Sequence, residues 1–141
     1  STADLLAAVE AVPADDVVVL PNNGNVIAAA EQVDAQSDKN VRVVPTRGIT
    51  EGFASLLEYD PQSTAEDNRT AMAAAAEAVV AGEVTVAVRD SGSDVGNIAE
   101  GDHLGLTGGK VRVVASTLFE ATTSLLGEIV DDSHEIVTMI A

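Results

Sequence analysis

Three apolar runs of this chain each pass directly into a short polar loop. Val17–Leu20 leads into Pro21-Asn22-Asn23-Gly24-Asn25, Val41–Val44 into Pro45-Thr46-Arg47-Gly48, and Val84–Val88 into Arg89-Asp90-Ser91-Gly92. In an open α/β sheet, loops leaving the carboxyl ends of parallel strands meet at one crevice, where ligands bind. If the three strands are parallel neighbours, Asn22, Asn23, Gly24, Asn25, Thr46, Arg47, Arg89 and Asp90 form one ligand- or partner-binding edge. Asn amides both donate and accept hydrogen bonds. A Gly-containing turn feeding a helix start offers backbone N–H groups to an anion. Arg is the natural bidentate partner of a carboxylate or phosphate. Each feature has a plainer reading. Asn and Gly are ordinary turn and cap residues, and Arg47 or Arg89 can form a structural pair with Asp90 or another carboxylate.

No other constellation carries chemistry, so no catalytic and no metal-binding residues are assigned. Glu51, Glu58, Glu66, Asp67, Asp131, Asp132 and Glu135 show no spacing that singles out an acid/base pair, and a solvated face explains them. Ser91, Ser116 and Ser124 lack a G-x-S-x-G context. Cys is absent and only His103 and His134 are present, which removes thiolate chemistry and leaves little for a zinc site. Asp131-Asp132-Ser133-His134 has metal-like residue types but reads as a turn after a helix. Twenty-three acidic against seven basic residues give a formal charge of −16. Such a surface repels phosphate backbones and anionic membranes. One Tyr, two Phe and no Trp cannot build a stacking platform for bases.

The elements that must position these loops follow from periodicity and punctuation. Ser1 or Thr2 caps a helix carrying Leu5, Leu6, Val9 and Val12, stopped by Pro13. Val17–Leu20 suits a strand buried on both faces. Asn25 is expected to cap a helix with Val26, Ile27, Ala30 and Val33 inward, and Val41–Val44 closes a βαβ unit. Thr50 is expected to cap a helix with Phe53, Leu56 and Leu57 inward. Ser63 or Thr64 opens an Ala-rich helix packing through Met72, Ala75, Ala76, Val79 and Val80, with Gly82 as its stop. After the third strand, His103–Leu106 and Val111–Val114 read as a hairpin around Gly108-Gly109. Thr117 then caps a helix, and Ile136–Ile140 reads as a last strand. The fold class is α/β: a mixed, mostly parallel sheet flanked by helices, with a C-terminal β-hairpin.

The length suits a single α/β domain over 1–141. The first residues open on a helix cap and the last lie inside an apolar run, so a fragment of a longer multidomain protein is expected. The absence of Cys and of any leader or apolar run of membrane-spanning length fits a cytoplasmic location. The Ala71–Ala78 stripe could pack against a second copy as a homodimer.

Leu20-Pro21-Asn22-Asn23-Gly24-Asn25-Val26-Ile27, Val41-Arg42-Val43-Val44-Pro45-Thr46-Arg47-Gly48-Ile49 and Gly82–Asp90, in this order and spacing, closely resemble the C-terminal region of bacterial dihydroxyacetone-kinase-like fusion proteins. These are the large subunits of fatty acid kinase, also called the DAK phosphatase family. The opening Ser1–Leu5 and closing Glu135–Ile140 are similar too, so the likeness covers essentially the whole chain. It implies a non-catalytic domain of a kinase, with a sheet similar to the DegV-like fold. It also implies docking onto a DegV-type fatty-acid-binding protein and contact with other domains of the parent chain. No cofactor is implied in this domain; Mg-ATP belongs to an N-terminal kinase domain absent here. The alternative is a phosphatase or phosphoryl-transfer domain acting on a small phosphorylated or acyl-phosphate substrate. Arg47 and Arg89 would then hold the phosphoryl group, and Asp90 would act as nucleophile or base. A third reading is a scaffold that only dimerises or orients its neighbours.

Overall fold

A computed structural model describes all 141 residues. The class is mixed α/β, and the chain forms two compact units, Ser1–Val79 and Val80–Ala141.

In the first unit, α1 (Thr2–Ala11) starts at Ser1, whose hydroxyl accepts the Asp4 N–H while the Asp4 carboxylate reaches back to the Ser1 backbone. β1 (Asp16–Val19), α2 (Ile27–Asp34) and β2 (Asn40–Val43) form the expected βαβ unit. β1 and β2 pair in parallel, with Val17 opposite Val41 and Val19 opposite Val43. Val9, Val17, Val33 and Val41 make the core, with Leu5, Leu6 and Val19 packed against it. The Lys39 ammonium donates to the carbonyls of Val9, Glu10 and Val12. These are orphan acceptors at the negative end of α1, where a cation is favoured.

α3 (Ile49–Leu57) and α4 (Ala65–Ala78) follow. Thr64 caps α4 by accepting the Asp67 N–H. The buried Asn68 side chain holds the connection between the two helices: it accepts from Asp60 N–H and donates to Asp60 O, each at 2.8 Å. Met72 and Ala76 are the buried face of α4.

α3 reverses the expected orientation. Phe53, Leu56 and Leu57 point outward, and the buried residues are Gly52 and Ser55. Two small residues let α3 approach α4 closely, and the Ser55 hydroxyl donates to Met72 O at 2.9 Å across that contact. This bond fixes the roll of the helix.

The second unit is built on antiparallel pairing. β3 (Gly82–Val86), β6 (His103–Thr107) and β7 (Lys110–Ala115) form one sheet in the order β3-β6-β7. β4 (Ser91–Ser93) and β5 (Gly96–Ile98) make a separate small hairpin. α5 (Leu118–Ile129) covers β3, β6 and β7, capped by the Thr117 hydroxyl. Gly108 and Gly109 take φ of 58° and 74°, as a tight two-residue hairpin requires.

Three expectations need correction here. β3 pairs with β6 and not with β1 or β2, so the parallel part of the fold is confined to one strand pair. The segment Gly82-Glu83-Val84-Thr85-Val86 alternates polar and apolar residues, the pattern of a half-solvated antiparallel strand rather than a fully buried one. Gly82 opens this strand instead of stopping α4. Ile136–Ile140 joins no sheet; its apolar side chains are exposed, and a strand exists only with a hydrogen-bonded partner.

The roll of α3 has a measurable signature. Met72→Ala empties a fully buried position and should lower stability by about 2–5 kcal/mol. Leu57→Ala should stay within about 0.5 kcal/mol. Chemical denaturation followed by circular dichroism decides; a large loss at Leu57 would mean that α3 packs the other way.

Candidate functional site

The carboxyl ends of β1 and β2 bring two of the three polar loops together. Asn22 sits at φ 52°, a left-handed conformation that Asn tolerates better than most residues. Its N–H donates to Thr46 Oγ1 at 3.0 Å, and Thr46 is fully buried. Thr46 is therefore the clasp between the two strand exits. Val44 N–H donates to Val19 O at 3.0 Å, carrying the parallel ladder up to this clasp.

Within the first loop, Asn23 Oδ1 accepts the Asn25 N–H at 2.9 Å and Asn23 O accepts the Val26 N–H at 3.0 Å. This local Asx turn replaces the expected Asn25 cap: α2 begins after Val26 with no side-chain cap. Asn22–Asn25 are exposed. In the second loop, α3 begins after Gly48 rather than under a Thr50 cap. Glu51, in the first turn of α3, reaches back to accept the Arg47 N–H at 2.6 Å. Its other oxygen lies 4.0 Å from Arg47 Nη1. Glu51 thus satisfies a donor before the helix start and places negative charge at the positive end of the helix. The Arg47 guanidinium is 70% exposed and remains available to a ligand.

Two residues that sequence reading overlooked complete the arrangement. One is Glu51, whose position three after Gly48 is the signal. The other is Gly52: a Cβ there would lie 2.2 Å from Asn22 Oδ1, so the Asn22 amide rests directly on the first turn of α3.

The third loop belongs to the second unit. With β3 in another sheet, no shared strand edge gathers Arg89 and Asp90 with the others. Asp90 Oδ1 accepts the Glu100 N–H at 2.8 Å, bridging the residues that flank the β4–β5 hairpin. Arg89 is exposed. The remaining strand arginines are paired: Arg42 with Asp34 and Glu66, and Arg112 with Glu128.

No group of three or more His, Asp or Glu side chains is placed to hold a metal ion. The Asp131–His134 stretch is a turn. Asp131 accepts the Ser133 N–H at 2.8 Å and the Ser133 hydroxyl, and His134 Nδ1 accepts the Asp131 N–H at 3.0 Å. The hydrogen bonds from the Ser133 side chain and backbone hold the Asp131 carboxyl below its ordinary pKa. His103 Nδ1 is buried without a hydrogen-bond partner.

All of residues 1–141 match the FakA-like C-terminal family, which describes the C-terminal region of a fatty acid kinase protein. The chain belongs to this family. It is 37% identical to Protein YloV of Bacillus subtilis over 140 residues, which is 99% of this chain and 25% of that protein. It is 36% identical over its whole length to an uncharacterized protein of Staphylococcus haemolyticus, covering 26% of that protein. An uncharacterized protein of Staphylococcus epidermidis is 34% identical over the same span. The chain thus spans about a quarter of the length of these relatives. No helix of this FakA-like C-terminal domain is long and apolar enough to cross a membrane.

Two outcomes test this geometry. Gly52→Ala should expel the Asn22 amide and shift the backbone resonances of Asn22–Asn25 and Thr46. The same substitution in an Asn22→Gly background, where φ 52° is retained without a side chain, should leave them in place. In the second unit, a depressed carboxyl pKa stabilises the folded turn above its ordinary value and loses that contribution as pH falls through the lowered one. The Ser133 amide should therefore hold its shift through mildly acidic pH and move only below the usual carboxylate range; in Asp131→Asn that transition should vanish.

Proposed function

We propose that this chain is a non-catalytic domain of a fatty-acid-kinase-type phosphotransferase. It docks the partner protein that carries the acyl chain, a fatty-acid-binding protein of the DegV type. The docking face is the carboxyl edge of β1 and β2, formed by Asn22, Asn23, Gly24, Asn25, Thr46 and Arg47. Arg89 and Asp90 form a second polar turn in the other unit. Family membership over the whole chain supports the kinase context.

One observation carries the docking reading. The groups at this edge that could do acid/base work are engaged on the backbone: Thr46 on Asn22 N–H and Glu51 on Arg47 N–H. What faces outward is the Arg47 guanidinium and a run of exposed Asn residues. That set recognises a surface but moves no proton. A phosphoryl-transfer reading would need Asp90 as nucleophile, and Asp90 already holds the Glu100 N–H. ATP and Mg²⁺ belong, on this reading, to another domain of the parent protein.

Titration of the 15N-labelled chain with a DegV-type fatty-acid carrier tests the proposal. Shifts should concentrate on Asn22–Asn25 and Thr46–Gly48. Arg47→Ala should weaken binding by about fivefold or more, the scale of an interface arginine. Unchanged affinity in both Arg47→Ala and Asn23→Ala would remove these loops from the interface. Turnover of an acyl-phosphate by the isolated chain would replace docking with catalysis.

A further inference from the structure

We infer that the outer face of α3 is a docking surface for a protein patch that is apolar at its centre and rimmed by Lys and Arg. This rests on the docking reading above and narrows it to one helix and one partner chemistry.

Ile49, Phe53, Leu56 and Leu57 are each at least half exposed, Leu57 at 80%. Their spacing of four, three and one residues places them on a single face of the helix, about 12 Å long at 1.5 Å per residue. Tyr59 extends the stripe just past the helix and is half exposed. A helix of a globular domain normally turns such a stripe to its core. Here the inward positions are taken by Gly52 and Ser55, and rotation is blocked twice. The Ser55 hydroxyl is bonded to Met72 O, and Gly52 lies beneath the Asn22 amide. The stripe is therefore held outward by the same contacts that order the polar loops. A contiguous apolar surface with a polar border is the mark of an interaction site.

Charge selects the occupant. Glu58 and Asp60 are exposed at the carboxyl end of the stripe. Residues 1–79 hold thirteen carboxylates against four cations, and of those four only Arg47 adjoins α3. A second copy would set this acidic border against itself, and like charges across an interface are costly. An anionic membrane would be repelled for the same reason. A cationic border on the partner complements the rim, while its apolar centre covers Phe53, Leu56 and Leu57.

The test uses the full 141-residue chain and two probes: an amphipathic helical peptide of Leu and Lys, and its Leu and Glu counterpart. The Leu/Lys peptide should shift the side-chain resonances of Ile49, Phe53, Leu56, Leu57 and Tyr59, and added salt should weaken it. Phe53→Ser/Leu57→Ser should reduce that affinity about tenfold or more while the denaturation midpoint stays in place. Absence of shifts on α3, or equal binding of the Leu/Glu peptide, overturns the proposal. So does doubling of the protein's own mass with concentration-dependent α3 shifts, which would seat a second copy there. The two readings also separate. If the fatty-acid carrier fails to bind while the Leu/Lys peptide seats on α3, carrier docking falls and the surface stands. If the carrier binds equally to wild type and Phe53→Ser/Leu57→Ser, the surface falls and docking stands.

Discussion

The hydrogen bond from Asn22 N–H to the buried Thr46 hydroxyl organises the first unit. A two-stranded parallel sheet is marginal by itself, and its strands can diverge as soon as the ladder ends. Thr46 prevents this by joining the exits of β1 and β2 across 3.0 Å. The bond also sets the backbone of Asn22, and the left-handed turn at Asn22 lays its amide on Gly52. From Gly52 the constraint passes to the roll of α3, and Ser55 hands it on to Met72 of α4. Polar loop, outward apolar stripe and α3–α4 packing are thus one mechanical unit, held by small residues and single hydrogen bonds rather than by a large apolar interface.

Electrostatics work through a few placed cations. Lys39 closes α1, and Arg42 stands between Asp34 on α2 and Glu66 on α4. Arg42 is only about a third exposed, so its pairs are less screened than open surface ion pairs, though they are partly solvated and individually modest. In so acidic a chain these cations act as local ties, and Arg47 is the one at the strand edge whose guanidinium is left largely open.

Much of this was legible in the residues. The unbroken Val17–Leu20 run, the βαβ spacing, the Gly108-Gly109 hairpin and the Ser1, Thr64 and Thr117 caps each follow from a local rule, and the structure bears them out. The departures share a cause. The roll of α3 depends on which of two faces meets α4; hydropathy favoured Phe53 and Leu57, but close approach through Gly52 and Ser55 won. The pairing of β3 is non-local, although the Glu83-Thr85 alternation hinted at a half-solvated strand. Ile136–Ile140 has the composition of a strand without a partner, and composition alone cannot supply one. At the candidate site the residue types were readable, whereas the backbone bonds that engage Thr46, Glu51 and Asp90 were not.

The exposed face of α3 also bears on the colloidal behaviour of the protein. With a pI near 4.1, mutual repulsion between molecules is strong at neutral pH and disappears as the carboxylates are neutralised. An outward stripe of Ile, Phe and Leu is tolerated only while that repulsion lasts. Acidification or high salt therefore removes the long-range barrier and leaves the sticky helix in control. The acidic composition is thus a solubility device matched to a surface that the fold cannot hide.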